Sequence, residues 1–377
     1  MAETAAGNSQ LVLDTIAHRS VKGIPIGLLH IMEHGMIERL AGAQPGDYRR
    51  EPRRVYLRMQ KNCGVGFIDQ FIPENPLEMG AHGYEGRERS ATTGAERIER
   101  DGLLIDSPEA VVDHLERIVF PWLAKAAAGF DEAKRCREIL ASEAAVQAEL
   151  GPEILKTGFG FIRFPCFAYS TYGYANYFMA YALYPEVMER HFSLQADYCR
   201  LNNRAAARAY REGNLPPLFR LDYDMADSRG TLVNIKSLDR IWFPHFARSL
   251  EPVLKSPVRL IWHCDGNLME MVPRLLEAGL AGFQGFQYED GMDYERIGRM
   301  KTRSGEPLFI WAGVSVTRTL PRGGPEDVKR ELDWLVRTGP PTGLVLGVTS
   351  SVAPGVSYDN LRTLTEGLRY YREHGRG

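Results

Sequence analysis

Downstream of residue 200 the chain alternates, almost without interruption, between short apolar runs and segments of helical periodicity. Residues 217–224 (PLFRLDYD) predict a strand and 237–254 a helix. Residues 258–263 predict the next strand, and 268–278 a helix stopped by Gly279. Residues 281–287 then read as a strand and 294–302 as a short helix. After the strand at 307–313 comes a helix that Gly324 precedes and Pro325 opens, and the last strand, 343–348, leads to a helix capped by Ser357. Strands joined through helices pair in parallel, because tight turns join only antiparallel neighbours.

Three further strands are expected upstream: 24–30 (IPIGLLH), 66–72 (GFIDQFI) after a helix at 52–62, and 159–165 (FGFIRFP) before a long helix at 185–212. Eight alternating units predict an α/β fold of the (β/α)8 TIM barrel type, with an extended N-terminal region. A plain barrel of this type needs roughly 250 residues, and the surplus falls mainly in an insertion between the second and third strands, residues 73–158. Its first half, with Gly80, Gly83, Gly86 and the polar run 87–97, predicts a loop or β excursion. Its second half predicts helix, with Ser107 as cap before Pro108 and an apolar face over 111–127. No linker or repeat divides the chain, so residues 1–377 are expected to form a single domain.

The net charge of −2 and the lack of a long basic run argue against nucleic acid as a partner. No apolar stretch approaches the roughly 20 residues that cross a bilayer, and no secretory signal is visible. Cys63, Cys136, Cys166, Cys199 and Cys264 are scattered and odd in number, which predicts free thiols and a cytoplasmic protein.

In a barrel of this kind the site forms at the carboxyl ends of the strands. Those ends offer His30 (with His34 one turn on), Asp69, Gln70, Arg163, Tyr223, Asp224, His263, Asp265, Gln287, Glu289, Ser315, Thr349, Ser350 and Ser351. Acids, imidazoles and hydroxyls dominate, and Arg163 and Arg318 are the arginines expected near the strand ends. The sharpest cluster is His263-Cys264-Asp265-Gly266-Asn267, which sets an imidazole and a carboxylate on a turn. Several plainer readings stand beside this one. His263 reads equally well as a core histidine bonded to a carbonyl, Asp265 as the residue that fixes the turn through an Asx-type bond, and Cys264 is expected to face away as an inert buried thiol. The arginines at 200, 204, 208 and 211 predict a solvated helix face. Tyr169, Tyr172, Tyr174 and Tyr177 either line a pocket for a flat ligand or pack the core.

Four stretches resemble the uroporphyrinogen decarboxylase superfamily, which includes corrinoid-dependent methyltransferases. They are the acidic strand end and RGTL segment at 222–233, the HCDGN turn at 263–267, residues 313–328, and residues 343–361. The resemblance implies a (β/α)8 barrel over nearly the whole chain. True decarboxylases of the family have an arginine-rich loop after the first strand, which here reads His30-Ile-Met-Glu-His-Gly35 without arginine. The zinc methyltransferases of the family use a His, a Cys two residues on, and a distant Cys. The corresponding positions here are His263, Asp265 and Ser350. The resemblance therefore implies either zinc on His263 and Asp265, with help from Glu289, or positions that act as general acids; the second is preferred.

The function implied is a corrinoid-dependent methyltransferase that moves a methyl group between a small methylated substrate and the cobalamin of a separate corrinoid protein. The expected catalytic residues are His263, Asp265, Asp224 and Glu289. His30, Arg163, Tyr172, Tyr174, Tyr223, Gln287 and Ser350 are expected to bind substrate, and homodimerisation is left open. The alternatives are a decarboxylase-like lyase acting on a carboxylated substrate and a non-catalytic tetrapyrrole- or corrinoid-binding barrel.

Overall fold

The computed structural model describes residues 2–74, 90–92, 95 and 97–376. The glycines at 80, 83 and 86 and most of the run 87–97, expected as a loop or β excursion, lie outside the described residues. Among the described residues eight short strands run in parallel: β1 (Phe67–Ile68), β2 (Leu155–Lys156), β3 (Gly158–Phe159), β4 (Leu218–Asp222), β5 (Arg259–His263), β6 (Gly282–Gln284), β7 (Phe309–Val314) and β8 (Leu344–Val348). Six of them form one sheet in the order β8-β7-β6-β5-β4-β3, and β1 pairs with β2. Only Thr157 separates β2 from β3. The expected first strand is not regular. Pro25 has no N–H to donate, and the segment makes only bridges, Ile26 to Leu346 of β8 and Gly27 to Phe67 of β1.

The third expected strand is displaced. Residues 155–159 carry the pairing, and Gly160, at φ +76°, turns the chain out of it. The apolar run that follows is buried without being a strand. Asn203 donates to the Arg163 carbonyl (2.7 Å) and accepts from its N–H (2.9 Å), while Asn202 donates to the Phe161 carbonyl (2.7 Å). Side chains of the Pro185–Glu212 helix thus satisfy backbone groups that a neighbouring strand would otherwise take.

The helices match the sequence more closely. Pro52–Asn62 and Pro185–Glu212 have the expected limits. The helical half of the insertion starts at Pro108 with Ser107 capping the Ala110 N–H, and it continues past Val119 through a π-helical turn, Leu115–Val119. That turn directly precedes Phe120 and Pro121, where the missing N–H and the ring would clash with a regular helix. The helix expected at 237–254 is two, Ile235–Ile241 and Phe243–Leu250, broken where Pro244 opens the second. No helix among the described residues is long and apolar enough to cross a membrane.

Each strand sends alternate side chains to opposite faces. On β5, Leu260 and Trp262 point toward the helices, and the Trp262 ring meets Phe246 at 5.6 Å and Phe164 at 5.2 Å. The other face carries His263. The register pairs Asp222 with His263, His263 with Gln284, and Gln284 with Trp311. Paired residues of parallel strands face the same way, so these four side chains form one row across β4, β5, β6 and β7.

Candidate functional site at the strand ends

That row lines a pocket of about 80 Å³ together with His30 and Ser350. His263 is 7% exposed, and its Nδ1 lies 3.3 Å from the Gln284 carbonyl. A carbonyl can only accept, so Nδ1 carries the proton and Nε2 turns toward the pocket. Nε2 stands 3.9 Å from Asp265 Oδ1, beyond a hydrogen bond. Gly285, at φ +69°, makes room for the imidazole, because a Cβ there would lie 2.9 Å from Nδ1.

Asp265 is the junction of the site. Ser350 Oγ donates to Oδ2 (3.2 Å) and Gln287 Nε2 to Oδ1 (3.3 Å). The Asp265 N–H donates in turn to Asp224 Oδ1 at 3.1 Å. The turn is tight: Gly266 has φ +85°, its N–H donates to Gln287 Oε1 (2.6 Å), and a Cβ would strike the Asp227 carbonyl at 2.6 Å. His263, Asp265, Asp224, Gln287 and Ser350 are therefore brought together as expected from sequence. His30 joins them from the first segment, with Nδ1 2.8 Å from Ser351 Oγ.

The electrostatics separate the groups. Burial raises the Asp224 carboxyl above the usual range, the neighbouring Asp265 charge adds to this, and the Asp265 N–H and His263 partly oppose it. Burial, aided by the Arg220 charge, lowers His30 to about 4. Cys264 is buried as expected, and that burial pushes its thiol up to about 12.

Other expected residues lie elsewhere. The turn Tyr288–Asp290 carries Glu289 away from His263 and Asp265: its Oε1 accepts from Ser315 Oγ (2.6 Å) and Thr317 Oγ1. Tyr172 is 1% exposed, with its hydroxyl 2.8 Å from His114 Nδ1, so it packs the insertion against the core instead of facing the pocket. Tyr223 donates to the Phe167 carbonyl (2.5 Å) within an aromatic cluster. Tyr174 is exposed at the rim, stacked on Tyr169 at 4.9 Å, and Tyr169 donates to the Asp224 carbonyl (3.0 Å). Arg163 lines a neighbouring cavity. His34, one turn on from His30, stacks on Tyr48 at 5.4 Å.

The expectation of few cations needs correction. Arg220, in the middle of β4, is 7% exposed and lies in the pocket. Its Nε donates to Asp69 (2.5 Å) and its Nη1 to Asp222 (2.8 Å). Burial works against its charge, and the two carboxylates more than offset that. An arginine interrupting the apolar run Leu-Phe-Arg-Leu was the available signal, since a charge is buried in a strand only with partners. Gln284 and Trp311 were missed because register, not sequence, aligns them with His263.

Among the described residues no three His, Cys, Asp or Glu side chains are grouped so as to hold a metal ion. His263 and Asp265 offer one imidazole and one carboxylate, and Ser350 adds only a neutral hydroxyl, a poorer donor set than the three or four His, Cys or carboxylate ligands of a zinc site.

No known family's sequence profile matches the chain, and neither does any curated protein sequence. The structure is similar to that of a methyltransferase from Methanosarcina mazei, with TM-score 0.57 and 14% identity over 97% of this chain and 98% of that one. A fainter likeness, TM-score 0.45 at 11% identity over 94% and 99% of the two chains, is to a putative vitamin-B12-independent methionine synthase from Listeria monocytogenes. At such identity the first likeness establishes the fold.

Proposed function

We propose that the protein is a methyltransferase built on a closed (β/α)8 barrel, moving a methyl group between a small methylated substrate and the cobalamin of a separate corrinoid protein. The bridges from Ile26 to β8 and from Gly27 to β1 support closure, because they connect the two ends of the parallel array. The observation that carries the reading is the Asp224–Asp265–Ser350 chain of hydrogen bonds beside the inward-facing Nε2 of His263. Such a group can hold and deliver a proton at the mouth of a pocket too small for a tetrapyrrole.

The corrinoid would supply the nucleophile that takes the methyl group. The bond from carbon to the leaving heteroatom breaks with its electron pair on the heteroatom, which then needs a proton or positive charge. Asp224, whose carboxyl is raised above its ordinary range by partial burial, is the donor best placed by its surroundings. Asp265 and Gln287 fix the turn, and His263 Nε2 orients the leaving atom. No step is assigned to zinc.

A lyase acting on a carboxylated substrate is the second reading, favoured by Arg220 in the pocket. It ranks lower because Asp69 and Asp222 already engage that guanidinium. The barrel without catalysis is the third.

The test is to mix the purified chain with cobalt(I) cobalamin and a panel of methoxy, methylamine and methylthio compounds, following the methylcobalamin spectrum. Turnover is expected with at least one donor, and Asp224→Asn should lower it about a hundredfold. Silence across the panel, or carbon dioxide release without cobalamin, would sink the proposal. Tight corrinoid binding unchanged in His263→Ala, without turnover, would favour the third reading.

A further inference from the structure

Beside the strand-end pocket lies a second cavity of about 370 Å³, between the coil after β3, the end of β4 and the Pro185–Glu212 helix. Phe159, Phe164, Phe219, Tyr198 and Trp122 give it largely aromatic walls. Arg220 and Asp222 line both cavities, so the two meet at that ion pair. A volume of this size falls within the range of small-molecule sites, whereas 80 Å³ accommodates only a small head group. An apolar cavity of about 150 Å³ takes up a benzene ring, so the larger one accommodates a two-ring body.

The charged and amide groups of its wall are committed, with one exception. Arg220 and Asp222 neutralise each other at 2.8 Å. Gln195 uses both ends of its amide on the Cys166 backbone, at 2.9 and 3.1 Å. Burial pushes the Cys199 thiol up to about 12, so it is neutral. That exception is the Arg163 guanidinium. Its carbon lies 6.0 Å from the Tyr198 ring centre, and among the described residues that side chain makes no ion pair or hydrogen bond. An aromatic cavity with one uncompensated cation complements a flat apolar molecule that carries one negative charge.

We propose that this cavity binds the ring body of an aromatic monocarboxylate, with the carboxylate on Arg163 and the far end directed past Arg220 and Asp222 into the strand-end pocket. That this ligand is the methyl-bearing substrate rests on the methyl-transfer reading; that the cavity binds it does not.

Isothermal calorimetry on the full chain with 2-naphthoate and its neutral amide, 2-naphthamide, tests the site. Both are expected to bind the wild-type protein, with the carboxylate the tighter ligand. Arg163→Gln should weaken naphthoate ten- to a hundredfold, the usual worth of a charged hydrogen bond, and leave the amide unchanged. Arg163 is exposed, and equal melting temperatures would show the variant folded. Absence of saturable naphthoate binding by the wild type, or equal naphthoate affinity in the variant, would overturn the proposal. Naphthoate binding that depends on Arg163, alongside silence in the methylcobalamin assay, would retain the site and discard methyl transfer.

Discussion

At the scale of single residues, the site is a contrast between groups that keep and groups that lose their charge. His30 has a measurable consequence. The unfolded chain takes up its proton near 6.5, whereas the folded one takes it up only near 4. Between those values the unfolded state binds more protons, so stability falls as pH drops through that window, by up to about 3 kcal/mol. His30→Gln should remove this part of the acid sensitivity, seen as a smaller loss of urea-unfolding free energy between pH 7 and pH 4.5. His191 is lowered in the same direction by its own burial and contributes equally to both proteins, so only the difference counts. Identical losses would refute the assignment. His263 and Asp265 were legible in the sequence because a strand end followed by a glycine turn marks where side chains leave the sheet, and Ser350 because it follows directly on the last strand. Arg220 was not, because a charge inside a strand declares itself only once Asp69 and Asp222 are seen around it.

At the scale of elements, local chemistry decided most boundaries. The Ser357 side chain accepts from the Asn360 N–H at 3.2 Å, as its place before the last helix implied. Ser357→Ala should therefore cost about 1 kcal/mol of unfolding free energy, read by denaturant titration; no change would mean that the cap is idle. Ser107 holds the insertion helix in the same way. The arginine face at 200–211 is also as expected, with Arg200, Arg204 and Arg208 paired to Glu251, Glu132 and Glu212 at the surface. The third strand shows where local pattern fails. Its apolar coil looks like a strand because it is buried, but Asn202 and Asn203 of a distant helix supply its hydrogen bonds.

At the scale of the whole molecule, Asp69 at the end of β1 and Arg220 on β4 meet in the interior across the strands between them. Removing one partner of a buried pair leaves an uncompensated charge, at a cost of about 3–5 kcal/mol. Asp69→Ala should fall at the lower end, since Asp222 remains on the guanidinium, and equilibrium urea unfolding measures it. A midpoint equal to wild type would show that the pair does not brace the parallel array. The sequence by itself determined the alternation of strands and helices, the caps, and the turn that presents His263 and Asp265, because these follow from periodicity and local hydrogen bonding. Only the tertiary structure decided that Asp222, His263, Gln284 and Trp311 share one row, that Arg220 is neutralised there, and that Glu289 and Tyr172 lie apart. Register and packing bring together residues tens or hundreds of positions apart, and no local pattern encodes that proximity.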